Sequence, residues 1–340
     1  MPEAVLVQSR EDSLAERIAT GIAVVVPLIG LMVAIWGLWG WGFTWVEFFL
    51  LAAMYLATGF GITVGYHRLF THSSFETFGF VKVVLGVLGS MSVQGPVLRW
   101  VANHRCHHNH SDETEDPHSP HRYGGGFWGV LAGWWHSHVG WMFERGPADL
   151  QRYIGDFRKD KLVQRVSRLF GLWVVLGLLI PAAAGGLLSG TWFGAFLGFL
   201  WGGLVRVFLV HHVTFSINSI CHLWGRRPFQ CNDESRNNVL CGMLAFGEGW
   251  HNNHHAFPLS ARHGLRWWEF DASFLVIRIM KGLGLAWRVQ VPSADAIAHR
   301  LAGEPQSGSH ASTGTSLAPS VERSTTDPIA AEADMGSDAL

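Results

Sequence analysis

Four long apolar stretches alternate with polar ones along the chain. Residues 18 to 38, 43 to 63, 169 to 189 and 191 to 215 each carry about the 20 apolar residues that a helix needs to cross a hydrocarbon core. The turn at residues 39 to 43, between the first two, and the turn between the last two hold no Lys or Arg. Residues 144 to 168, between the pairs, hold Arg145, Arg152, Arg158, Lys159, Lys161, Arg165 and Arg168. By the positive-inside rule the basic side is cytoplasmic, so the pattern predicts two hairpins of spans with both charge-free turns on the far side. Residues 78 to 98 are apolar too, but they contain Lys82 and end in Gln94-Gly95-Pro96. A crossing there would also put residue 67 and residue 104 on opposite sides, so the segment is expected to lie along the interface.

Outside the spans, residues 112 to 168 and 216 to 300 read as soluble portions, with Gly124-Gly125-Gly126 marking a loop and amphipathic character from Trp267 to Trp287. Residues 1 to 17 are mixed and polar and lack the pattern of a cleavable signal. Residues 303 to 340 turn to Ser, Thr, Ala, Gly and Pro and are expected to be disordered. The expected fold is therefore an all-α integral membrane domain over 18 to 302, with four spans and a cytosolic helical cap. Composition agrees: 49% of residues are hydrophobic and only 15% charged, with 17 Trp and 22 Phe. Lys and Arg total 25 against 26 Asp and Glu, so no global field recruits nucleic acid. Cys106, Cys221, Cys231 and Cys241 form no CxxC pair and read as reduced thiols.

Histidine spacing points to the chemistry. In His104-Arg105-Cys106-His107-His108 the imidazoles stand at i, i+3 and i+4, which share one helical face. His251, His254 and His255 repeat that spacing; His67 and His72 are five apart; His222 stands alone, one turn after Asn218. Nine imidazoles in four groups, all on the predicted cytoplasmic side, exceed the needs of one ion and suit two. Five residues turn an α-helix too far for His67 and His72 to share a face, so they are expected to straddle the break at the end of the second span. Metal-bound imidazoles need their second nitrogen held, and Asp112, Asp116, Glu248 and Asn218 are the candidates nearest in sequence. A charge deep in a span usually marks function, which singles out Arg206, with His211 and His212 beside it.

HRLFTH at 67 to 72, HRCHH at 104 to 108 and HNNHH at 251 to 255 resemble the three histidine boxes of the membrane fatty acid desaturases. Flanking residues sharpen the likeness to the acyl-CoA delta-9 branch: Gly61-Ile62-Thr63, Asp116-Pro117-His118, Ser137-His138-Val139-Gly140-Trp141, Asn218 to His222, and Gly247-Glu248-Gly249-Trp250. The likeness covers about residues 20 to 290. It implies that His67, His72, His104, His107, His108, His222, His251, His254 and His255 hold two Fe2+ ions. With dioxygen and two electrons from outside, the centre would place a cis double bond in a saturated acyl chain. The resemblance further implies that Gln94, Trp100 and Thr214 line the bend of a substrate tunnel, and that Tyr55 and Gly59 stand at its closed end. Where CoA-dependent members carry a basic pair for nucleotide phosphates, this chain reads Glu144-Arg145, leaving Arg145 as the headgroup candidate. Residues 124 to 135 are a Gly- and Trp-rich insertion.

The expected partners are a fatty acyl-CoA, membrane lipid and a separate electron donor, since the chain shows no FAD, NAD or haem motif. A ferredoxin or flavin reductase fits a bacterial inner-membrane protein; cytochrome b5 serves elsewhere in the family. An acyl-lipid desaturase, and a di-iron hydroxylase or alkane monooxygenase, are the neighbouring alternatives. A metal transporter is the alternative of another class, and it would want its ligands at mid-membrane.

Overall fold

The structure, a computed structural model, describes residues 14 to 37, 42 to 144 and 150 to 301. Arg145 and the 303 to 340 tail lie outside the described residues. Four helices are long and apolar enough to cross a membrane. The first is α1 (Leu14–Gly37), starting four residues earlier than the hydropathy pattern suggests. The second starts as α2 (Trp45–Phe60), where Thr44 and Glu47 form a capping box, and continues without a break as a π-helix over Gly61–Thr71. α3 (Gly79–Ser90) and α4 (Val97–His110) follow. The stretch from 78 to 98 expected as one interfacial helix thus holds a shorter helix, α3, which runs to Ser90, and only the first two residues of α4. At 1.5 Å per residue α3 spans roughly 18 Å, well short of a bilayer core. It crosses the π-helix at close range, since a Cβ at Gly61 would meet the backbone of Leu88 and Gly89.

The segment expected to be soluble contains α5 (Phe127–His138), which packs along the last span and leaves Phe127, Trp128, Leu131 and Trp135 exposed. The three glycines 124 to 126 form the expected loop, and the helix starts directly after them. α6 (Lys161–Arg168) leads to the third span, α7 (Phe170–Ser189). The fourth is continuous from α8 (Trp192–Gly198) through π turns to α9 (Arg206–Leu223). α10 (Val239–Leu244), α11 (His251–Ala256), α12 (Ala272–Gly282) and α13 (Ala294–Leu301) build the cap. A two-residue antiparallel pair of strands, β1 (Glu76–Thr77) with β2 (Ala286–Trp287), ties the chain after the second span to the end of the cap.

Arg206 corrects the expectation placed on it. Its guanidinium is fully buried and donates to three backbone carbonyls: Gly202 (3.1 Å), Met91 (2.6 Å) and Gly177 (2.7 Å). Gly177 lies four residues before Pro181, whose ring nitrogen has no hydrogen to give it. Met91 is the residue that ends α3. Arg206 therefore satisfies carbonyls that the helices leave open, each worth roughly 1–3 kcal/mol if stranded in the interior. It is a structural cross-tie. His211 plays a similar part, its Nε2 lying 2.9 Å from the Ser92 carbonyl.

Candidate metal centre

Both long membrane helices end in histidines. His67 lies inside the helix and His72 just past its end, so the pair straddles the break as expected, and the π winding of the second span brings the two rings together. Its i to i+5 bonds, among them His72 N–H to the His67 carbonyl at 3.1 Å, widen each turn. Five residues then make little more than one turn, and the two rings lie with centroids 4.8 Å apart. The helix stops at Thr71, where Arg105 of the second box donates to the Phe70 (2.9 Å) and Thr71 (3.0 Å) carbonyls left over at its end. Arg68, fully buried, faces Glu248 (3.1 Å) and Asp271 (3.0 Å). In the third box Asn252 brackets Phe229, donating to its carbonyl and accepting from its N–H. Asn253 bonds Asn237, Glu269 and the His263 carbonyl. The residues between the histidines thus fasten each box to its neighbours.

The nine histidines gather into two groups, whose ligand atoms lie within 4.8 Å of one another in each. His67, His72, His104, His108 and His254 form one; His107, His222, His251 and His255 form the other. The inward nitrogens lie close. Nε2 to Nε2 distances are 3.1 Å for His67 with His254, 3.1 Å for His104 with His108 and 2.9 Å for His108 with His254. In the second group they are 3.0 Å for His222 with His251 and 3.1 Å for His251 with His255. Nδ1 is the outward, protonated nitrogen on four rings. It donates to Glu248 from His67 (2.5 Å), Asp116 from His107 (2.9 Å), Asp112 from His222 (2.9 Å) and Asp233 from His255 (2.7 Å). With the proton outside, the Nε2 atoms present lone pairs to each other, which is repulsive unless a cation lies among them. Ligands about 2.1 Å from an ion stand about 3.0 Å apart at right angles and about 3.4 Å apart in a tetrahedron. The residues present therefore fit two metal ions, each held by neutral imidazoles whose ligand atoms lie within 4.8 Å of one another.

Electrostatics agree. Burial pushes His104, His108, His251 and His254 well below the ordinary imidazole value, and neighbouring imidazoles add to the effect, keeping them in the neutral form that binds metal. Burial alone would raise Asp112, Asp116, Asp233 and Glu248. The imidazoles facing them, and Arg68 for Glu248, outweigh it and hold all four ionised.

Asp233 was not among the sequence candidates. It lies 22 residues before His255, in the loop after the fourth span, and no spacing rule reaches it. His118 and His263 also adjoin the centre: their rings lie 4.4 Å from His107 and 4.5 Å from His254. Asn218 is half-buried in α9 and makes no hydrogen bond to any of the nine imidazoles among the described residues; the Nδ1 of His222 is held by Asp112.

Of the five tunnel candidates, Gln94 donates to the Thr214 hydroxyl (3.0 Å) and accepts from the Trp100 indole (3.4 Å), while Trp100 stacks on His104 at 5.0 Å. Tyr55, Gly59 and Thr214 line a slot between the second and fourth spans, roofed by Leu244, Ala245 and Phe246 and reaching Glu248 at its metal end. Glu144 is engaged with Arg122 (2.8 Å) and His136 (3.0 Å).

Fold and site together define a helical membrane protein whose spans end at a two-part, all-histidine metal cradle. Residues 43 to 288 match the family model for fatty acid desaturases, and the chain belongs to that family. It is similar to a hex-5-enoyl-[acyl-carrier protein] acetylenase of Moorena producens, with 44% identity over 80% of this chain and 86% of the relative. An sn-1 stearoyl-lipid 9-desaturase of Anabaena variabilis is 38% identical over 73% of this chain and 86% of its own. An acyl-CoA C20 Delta5-desaturase of Anemone leveillei is 37% identical over 74% and 76%. The family makes the chain an oxidoreductase of acyl chains.

Proposed function

We propose that this membrane protein holds two iron ions on its nine histidines. With dioxygen and two external electrons, it introduces a cis double bond into a saturated acyl chain. The observation that supports this most is the division of nine imidazoles into groups of five and four, each with its ligand atoms within 4.8 Å of one another. Bound iron would supply the power to oxidise an unactivated C–H bond. The chain's own residues do the rest. Glu248, Asp112, Asp116 and Asp233 orient the rings; Trp100, Gln94 and Thr214 form a bonded wall beside His104; and the slot between the spans excludes water from the hydrocarbon.

The double bond is read as delta-9, as in the stearoyl-lipid relative. The carrier is read differently from the sequence expectation of CoA. Glu144, paired with Arg122 and His136, puts a carboxylate where phosphate-binding cations would stand, which favours a lipid-bound or carrier-protein-bound chain. The active side is read as the cytoplasmic face of a bacterial plasma membrane, with a ferredoxin or flavin reductase as donor.

Expression in a host unable to make unsaturated fatty acids tests the reading. New monoenes in the lipids, two irons per purified chain, and loss of the monoenes in His107→Ala protein that still reaches the membrane are the expected results. Hydroxylated chains in place of olefins would move the reading to a hydroxylase. Accumulation of labelled metal across the membrane with no lipid product would move it to a transporter.

A further inference from the structure

One side chain of the roof reaches down into the slot between the second and fourth spans. Phe246, in the segment joining α10 to α11, has a left-handed backbone with φ of 56°, strained for a bulky residue. The strain is held in place. Its carbonyl accepts from Ser273 N–H (3.0 Å) at the start of α12, and the Ser273 hydroxyl is 2.7 Å from that of Thr63 on the second span. The Tyr55 hydroxyl donates to the Leu244 carbonyl (2.8 Å), fixing the same roof two residues away. From there the Phe246 ring drops between the helices, 5.4 Å from the ring of Tyr55 and 4.7 Å from that of Phe60. It rests on Gly59, where any Cβ would run into the ring edge. The space left open is about 30 Å³, room for about two waters and far less than a long hydrocarbon tail needs.

We propose that Phe246 is the stop of the acyl slot. Its ring, seated on Gly59, limits how many carbons can lie beyond the oxidised bond. Gly59 is eight residues before His67, so the stop lies about two turns along the helix from that imidazole. Tyr55 and Gly59 act through the ring: one anchors its roof and the other provides its seat. The assignment of an acyl chain to the slot rests on the desaturase reading, while the test below needs no turnover.

Purified wild type, Phe246→Ala and Phe246→Leu are loaded with a fluorescent fatty acid, which is displaced by unlabelled saturated acids of eight to eighteen carbons. Wild-type affinity is expected to climb with length and then level off. Beyond that length Phe246→Ala should keep gaining about tenfold per methylene, the discrimination an apolar pocket gives, with Phe246→Leu between them. Length profiles that coincide for all three proteins would overturn the proposal. Lipid analysis of cells expressing the same variants separates the two readings. A shifted binding profile without olefin from the wild type keeps the stop and removes the desaturase. Olefins whose chain lengths do not change in Phe246→Ala remove the stop and keep the desaturase.

Discussion

The two imidazole groups lie side by side, with His108 and His255 stacked at 4.6 Å across their border, yet they are built on different principles. The group of five has one carboxylate, Glu248, which it shares with the buried guanidinium of Arg68 and with His263. The group of four has three carboxylates, Asp112, Asp116 and Asp233, each bonded to a different imidazole. An ion in the first would be held by five imidazoles with a fixed cation nearby. An ion in the second would be held by four and ringed by anions, which would favour a divalent charge in a poorly screened interior. The difference suggests a division of labour, with one half a closed anchor and the other the more open and more strongly charged.

The largest effect that tests this division comes from removing ligands. His254→Ala, in the group of five, and His107→Ala, in the group of four, should each abolish olefin formation and lower the iron content from two per chain to about one. If either variant loses both ions together, the halves are one cooperative site and the comparison fails. Next in size are the carboxylates. Asp112→Asn, Asp116→Asn and Asp233→Asn should each weaken metal binding about 10- to 100-fold, emptying the group of four first. Iron titrations followed by isothermal calorimetry would resolve the two steps. Glu248→Gln should instead weaken the group of five and also destabilise the fold, because it leaves Arg68 buried with Asp271 as its remaining anion.

These carboxylates show how much of the site could be read from sequence. The ligand positions and the four spans were legible because both depend on short-range periodicity: apolar runs of bilayer length, and imidazoles at i, i+3 and i+4. Asp112 and Asp116 lie close enough to the second box to be guessed. Asp233 and Phe246 were invisible because their roles depend on where a loop lands after the fourth span. The π winding that brings His67 and His72 together was invisible for another reason. Hydropathy does not distinguish an α-helix from a π-helix, and the wider turn decides which side chains meet.

A smaller effect concerns acid. His263 and His118 flank the two halves, and burial lowers them from the ordinary 6.5 to about 4 and about 3. Both folded values lie below the unfolded one, so the folded state binds fewer protons once the pH falls under about 6.5. The stability of the metal-free protein should therefore be full above that pH and fall progressively toward pH 4 and below. Thermal unfolding followed across pH 8 to 4 would show it, and His263→Phe should flatten part of the slope. A melting temperature that stays level from pH 7 to pH 4.5 would sink the idea that these two rings are held neutral.

The smallest expected effect is at Asn218. It stands one turn before His222 on the same helix, yet no hydrogen bond links it to an imidazole, and Asp112 already orients His222. Asn218→Ala should leave iron content unchanged and metal affinity within about threefold of wild type, whereas Asp112→Asn should weaken it about 10-fold or more. The contrast is informative because the two residues bear on the same histidine from different directions. If Asn218→Ala instead empties the group of four, the amide must hold one of the positions that four imidazoles leave free, directly or through water. The more open half would then be less open than its ligand count suggests.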